Sequence, residues 1–134
     1  MSFSHVLTRT SNDGVAAVTG SETVTAGASP GISELIPAPS TNLQVAFAFT
    51  NAKLKSICIY SAVDMTVYTN DASTGSPQET IHLLAGIPFL WSSTQSYIGA
   101  SNPSPFAGNV TSIYVTLGGL TDSTLNIRAI VDPT

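Results

Sequence analysis

The chain has 134 residues, a net charge of −4 and only 9% charged side chains, against 43% hydrophobic ones. One domain of about 150 residues or fewer is expected, folding to roughly 6,600 Å² of surface with a core that needs no covalent staple. Four basic residues in total, with Lys53 and Lys55 the only close pair, exclude a phosphate-tracking nucleic-acid surface.

The deficit of charge is made up by Ser, Thr, Asn and Gly. Such a surface resists association poorly and suits a protein packed against others. The single cysteine, Cys58, rules out an intrachain disulfide framework and reads as a buried structural thiol. No basic segment followed by an apolar run opens the chain, so no signal peptide is expected. No stretch has the length of a membrane span. The sequon Asn109-Val110-Thr111 carries little weight without a secretory route.

In chain order, Ser4–Thr10 reads as a strand or extended arm, with residues 1–14 free to act as an N-terminal arm or an edge strand. Asn12-Asp13-Gly14 is a tight-turn signal. Val15–Val18 and Glu22–Ala26 follow, then a Gly/Ser/Pro loop. Ile32–Ile36 is a short strand stopped by Pro37 and Pro39, which cannot donate to a ladder. Leu43, Val45, Phe47 and Phe49 alternate with small or polar residues and predict a strand with one buried face. Leu54–Ser61, Met65–Thr69 and Glu79–Leu84 predict three more, separated by turn chemistry at Val63-Asp64 and over 70–77. The four together suggest an antiparallel meander or Greek-key fragment.

After the turn at Ala85-Gly86, Ile87–Trp91 is the most apolar pentapeptide of the chain. Residues 92–111 are too long for a hairpin and predict a crossover between sheets, with Phe106 tucking back as an anchor. Ser112–Leu117 is a strand. So is the closing segment, where Leu125, Ile127, Ala129 and Val131 alternate with Asn126, Arg128 and Ile130. No stretch keeps a helical apolar period free of Gly and Pro. Eight or more short strands with at least one long crossover predict an all-β, single-domain antiparallel β-sandwich, with a jelly roll favoured over an immunoglobulin-like order.

Chemistry-bearing groups are sparse. His5 and His82 stand apart, without the converging Cys, His or carboxylate ligands that a metal needs, so no metal site and no cofactor are expected. There is no G-x-S-x-G elbow to point to a serine hydrolase, and an enzyme is not expected. Asn70–Gly75 has the oxygen-rich start of a calcium loop but lacks its closing glutamate; ordinary Asx turns account for it equally. Tyr60, Tyr68, Trp91, Tyr97 and Tyr114 would suffice for a sugar-stacking platform if they converged. For Trp91, at the end of an apolar run, a place in the core or a subunit interface is the better reading.

From Ala52 onward the order of features resembles the small capsid decoration (cement) proteins that tailed bacteriophages encode beside their major capsid protein. The matching text is Ala52-Lys53-Leu54-Lys55-Ser56-Ile57, Met65–Asn70, Gly86–Trp91, Pro105-Phe106 leading to Val110–Val115, and Leu125–Arg128 closing on Asp132-Pro133-Thr134. It covers roughly residues 52–134, while the first 40 residues match nothing nameable. The resemblance implies a virion protein on the capsid exterior, made in the host cytoplasm. Its partners would be the major capsid protein and copies of itself, as a homotrimer, with neither nucleic acid nor membrane involved. By exposure logic, contacts to capsid or neighbour are expected at Phe3, His5, Val6, Arg9, Phe89, Trp91, Phe106, Tyr114 and Asp132. A tail or head-fibre component and a carbohydrate-binding module are the alternative readings.

Overall fold

The structure is a computed structural model that describes residues 2–70, 78–99 and 102–132. Ten strands run β1 (Phe3–Asn12), β2 (Ala17–Ala26), β3 (Gly31–Ile36), β4 (Ser40–Val45), β5 (Leu54–Tyr60), β6 (Met65–Thr69), β7 (Thr80–Leu83), β8 (Phe89–Ser92), β9 (Ile113–Leu117) and β10 (Ser123–Val131). A single 3-10 turn at Asn51–Lys53 leads into β5. The last eight strands form two four-stranded antiparallel sheets, ordered β3-β10-β5-β8 and β4-β9-β6-β7. They pack face to face as the expected β-sandwich. The pairing is nested: β3 with β10, β4 with β9, β5 with β8 and β6 with β7.

The core follows from alternation. Ile57, Ile59, Leu125 and Ile127 face inward from the first sheet, and Val45, Met65, Val67, Val115 and Leu117 from the second. Phe47, Phe49, Phe106 and Val110 close one end, with the Phe49 and Phe106 rings edge to face at 5.1 Å. The β3–β4, β5–β6, β7–β8 and β9–β10 turns, being successive reversals of antiparallel strands, all lie at the opposite end.

Two expectations change. The strand foreseen from Leu43 to Phe49 ends at Val45; Phe47 and Phe49 keep the alternation of burial, but only Phe49 still bridges, to Val110. The four strands between Leu43 and Leu84 are not a meander: β5 belongs to the other sheet, and only β6 and β7 form a local hairpin. A period-2 pattern says which face is buried, not which neighbour is paired. The predicted crossover is present, joining β8 in one sheet to β9 in the other. The loop over 71–77, with most of the calcium-like segment, lies outside the described residues.

The first two strands form a separate ribbon, paired in register from Phe3↔Ala26 to Asn12↔Ala17. The Asn12-Asp13-Gly14 signal is its turn. Asn12 Oδ1 accepts from the Gly14 N–H at 2.8 Å, Asp13 Oδ1 accepts from Val15 and Ala16 at 2.9 and 3.0 Å, and Gly14 takes the left-handed φ of +87° that suits glycine. The backbone donors of Ala16 and Val15 hold the Asp13 carboxyl below its ordinary pKa. The segment expected to be an arm or edge strand is therefore half of a hairpin.

Candidate functional site

The ribbon lies across the outer face of the first sheet, and three contacts trace its path. Ala28, just past β2, bridges Val131 on β10; His5 Nδ1 lies 3.3 Å from Ser56 Oγ on β5; Glu22 accepts from Ser92 Oγ at the end of β8, at 2.8 Å. The ribbon thus crosses from β10 over β5 to the edge strand β8. Beneath it, Ser56, Ser92 and Ile130 are fully buried although they point away from the sandwich core. Leu7, Val24 and Ala26 cover them from the ribbon side. Burying Leu7 and Val24 contributes about 1.5–3 kcal/mol each, enough to offset much of the cost of ordering the root.

Glu22 is the polar hub. Its carboxylate accepts from Arg9 Nη1, Ser92 Oγ and Thr94 Oγ1, each at 2.8 Å. Burial works against the charged form, but the hydrogen bonds from Arg9, Ser92 and Thr94 outweigh it and keep the Glu22 pKa below its ordinary value. The His5 pKa is lowered, first by desolvation between ribbon and sheet and then by the nearby Arg128 guanidinium. Arg128 itself is held by the Ile32 and Ile127 carbonyls at 2.9 and 3.0 Å. Cys58, opposite Arg128 in the ladder, is half-buried rather than a core thiol, and burial raises its pKa against the pull of Arg128.

Beyond Arg9 and Glu22 the ribbon leaves the sheet. Every residue from Thr8 to Ser21 is exposed, ending in the apolar tip Val15-Ala16-Ala17-Val18, where Val15 is 93% and Val18 75% exposed.

Among the described residues, nothing covers the outer face of the second sheet in this way. Tyr68 and Tyr114 pair across β6 and β9, both half-buried, and one step along the strands runs the row Thr116, Thr66 and His82. Above that row opens a cavity of about 750 Å³, walled by the β5–β6, β7–β8 and β9–β10 turns and edged by Val63, Leu84 and Leu120. Leu120 is 95% exposed.

The residues expected to make outside contacts are dispersed. Phe3, Val6 and Arg9 lie on the exposed ribbon, and His5 lies under it. Tyr114 is on the bare face, and Asp132 forms an exposed 3.2 Å ion pair with Lys55. Phe89 packs half-buried against the core. Trp91 and Phe106 are corrected: both are core residues. Trp91 stands opposite Ile57 on the inward face with Nε1 donating to the Pro103 carbonyl at 3.0 Å, and Phe106 packs edge to face against Phe49. Their burial anchors the crossover, as foreseen for Phe106, and removes both from any outer contact. It also removes Trp91 from the aromatic platform, of whose other members only Tyr68 and Tyr114 stand side by side: Tyr60 lies in the first sheet and exposed Tyr97 on the crossover.

Sequence reasoning missed Glu22, Ser56, Ser92 and Thr94. A signal existed for the first: Arg9 and Glu22 are opposite charges on either side of the Asn12–Gly14 turn, and Arg9 is the only cation before Lys53. Among the described residues no cluster of three or more metal-ligating side chains occurs, and no helix is long and apolar enough to cross a membrane. No protein-family model, no curated protein and no solved structure matches the chain.

Proposed function

We propose that this chain is a structural virion protein of the capsid-decoration kind, which binds the exterior of an expanded tailed-phage capsid as a homotrimer. There it cements adjacent copies of the major capsid protein against the pressure of the packaged genome. The reading begins from the resemblance over residues 52–134. The observation that carries it further is the amount of uncovered surface. Every ribbon residue from Thr8 to Ser21 is exposed, and Tyr68, Tyr114 and His82 on the outer face of the second sheet are open to solvent at least in part. The surface carries few charges to keep neighbours away. A rigid sandwich with a projecting ribbon supplies both a body to sit on a lattice and an element to reach from it. The nested pairing of β3 to β10 is the winding of a long hairpin around one core, which we read as a jelly roll rather than an immunoglobulin-like order.

The test is co-sedimentation of the purified chain with expanded capsids assembled from the neighbouring major capsid protein. Saturable binding in threes, with capsids surviving more heating or mechanical load, is the expected result. Absence of binding to expanded capsids rejects the proposal. The half-exposed Tyr68–Tyr114 pair on the bare sheet favours one second reading, carbohydrate binding. Saturable glycan affinity lost in Tyr114→Ala would move the assignment there.

A further inference from the structure

Few groups hold the ribbon to its sheet. Of its twenty residues only Leu7, Val24 and Ala26 are buried apolar ones. Neither these nor Ile130 beneath them belong to the continuous core built on Ile57, Ile127 and Val115. The β1–β2 ladder is internal to the ribbon. Among the described residues, the first backbone bonds from this end of the chain to the sheet are those of Ala28 with Val131, at 2.9 and 3.1 Å. Gly27 stands between that bridge and Ala26, where β2 ends. A rotation there lifts β1 and β2 together and breaks no strand pairing of the sandwich.

The polar ties depend on charge. As a carboxylate, Glu22 accepts from Ser92 and Thr94 on the sheet side and from Arg9 on the ribbon. Its protonated form gives up part of that acceptor capacity and leaves Arg9 with a 3.3 Å bond to Gln95. His5 meets the hydroxyl of fully buried Ser56. As an imidazolium it places a second cation beside Arg128, which the Ile32 and Ile127 carbonyls hold in place. Arg9 on β1 thus faces Glu22, and Arg128 on β10 faces His5. Cys58 on β5, opposite Arg128, stays a neutral thiol because burial raises its pKa.

We infer that the ribbon is an acid-released strap: on acidification β1 and β2 lift off the first sheet about Gly27 while the sandwich stays folded. Release uncovers Ser56, Ser92 and Ile130 and frees residues 2–26 as an arm. The two titrating groups act with the same sign. Desolvation opposes the Glu22 charge, but the hydrogen bonds from Arg9, Ser92 and Thr94 win and keep its pKa below the ordinary 4.5. Desolvation and then Arg128 keep that of His5 below the ordinary 6.5. Lifting restores the ordinary values, so each proton bound favours the lifted state. The His5 contribution is complete above about pH 6.5 and the Glu22 contribution above about pH 4.5, and each is lost as pH falls from there toward the seated value. His5 therefore loosens the strap first and Glu22 second. The inference stands independently of the virion reading.

The single tryptophan reads both halves of the claim. Trp91 is buried in the core, so its own emission reports whether the sandwich is folded, and it serves as energy donor to a dye on the ribbon. On a Cys58→Ser background, the dye is placed at Ser11→Cys, an exposed position two residues beyond Arg9. A control dye sits on the body at Leu120→Cys, which is 95% exposed. From pH 7.5 down to about 4, transfer to the ribbon dye should fall by about twofold in the dilute protein. Transfer to the Leu120→Cys dye and the emission of undyed Trp91 should stay constant. Ribbon transfer that holds throughout, or that falls only when Trp91 emission shifts as well, would overturn the proposal, because ribbon and sandwich would then open as one unit. His5→Asn, neutral at every pH, should move the release midpoint to lower pH. Thr94→Val, which removes one donor to Glu22 at an exposed position, should move it to higher pH. A midpoint unmoved in both variants would also overturn the proposal, since other groups would then govern the strap.

Discussion

The two sheets of the sandwich have the same strand number and similar inward faces, yet their outward faces differ. On the β3-β10-β5-β8 sheet, Ser56, Ser92 and Ile130 are as buried as the core because the ribbon lies over them. On the β4-β9-β6-β7 sheet, Thr66, His82, Tyr68 and Tyr114 meet solvent at least in part. The difference comes from what precedes β3. A twenty-residue ribbon with only three apolar residues buried converts one sheet into a three-layer region and leaves the other as a two-layer one.

Substitutions should separate the two faces. Ile130→Ala, beneath the ribbon, should destabilise by about 2–5 kcal/mol in urea unfolding, whereas Tyr114→Ala on the bare sheet should cost about 1 kcal/mol or less. Equal costs would mean that the ribbon does not cover the first sheet. Next in size, Glu22→Ala removes the acceptor that ties Arg9, Ser92 and Thr94 together and should cost about 1–2 kcal/mol. Its effect should largely vanish in an Arg9→Ala, Ser92→Ala, Thr94→Ala background, because those three donors are what the carboxylate ties together.

The pH dependence of the ribbon contact is subtler. The His5 pKa lies below its ordinary 6.5 in the folded chain, so the unfolded chain binds the proton more readily. This contribution is complete above about pH 6.5 and is lost as pH falls from there toward the folded value. Unfolding between pH 7.5 and 5.5 should therefore show stability declining with acid, and His5→Asn should flatten that slope. A slope unchanged in His5→Asn would place its origin elsewhere. Smallest of all, Lys55→Ala breaks only the exposed pair with Asp132 and should change stability by no more than about 0.5 kcal/mol.

Much of the sandwich was legible in the sequence because alternation records burial directly. Met65–Thr69, Ser112–Leu117 and the closing strand fall where period 2 puts them, and the Asn12-Asp13-Gly14 turn declares itself by its chemistry. Pairing was less legible, since partners such as β3 and β10 are separated by the whole domain and nothing local names them. Ile130 is the sharpest case. It holds the outward position that alternation gives it, opposite Ser56, yet is fully buried because the ribbon lies above it. The ribbon was hard to foresee as a cover because Leu7 and Val24 are isolated among Thr and Ser, so its buried face is one or two residues wide. Trp91 and Phe106 were misjudged as possible outside contacts for a related reason: apolar character gives a preference for burial without saying whether the burying surface belongs to the same chain or to another.

Amide hydrogen exchange by mass spectrometry, on the dilute chain and on the chain bound to expanded capsids, tests the central claim most directly. In the dilute chain, amides of Leu7 and Val24 at the ribbon root should exchange slowly and those of residues 10–20 rapidly, and on the capsid residues 10–20 should become protected as well. Protection of residues 10–20 in the dilute chain would show that the ribbon is already covered by its own molecule, and continued rapid exchange on the capsid would show that no partner covers it; either result contradicts the account.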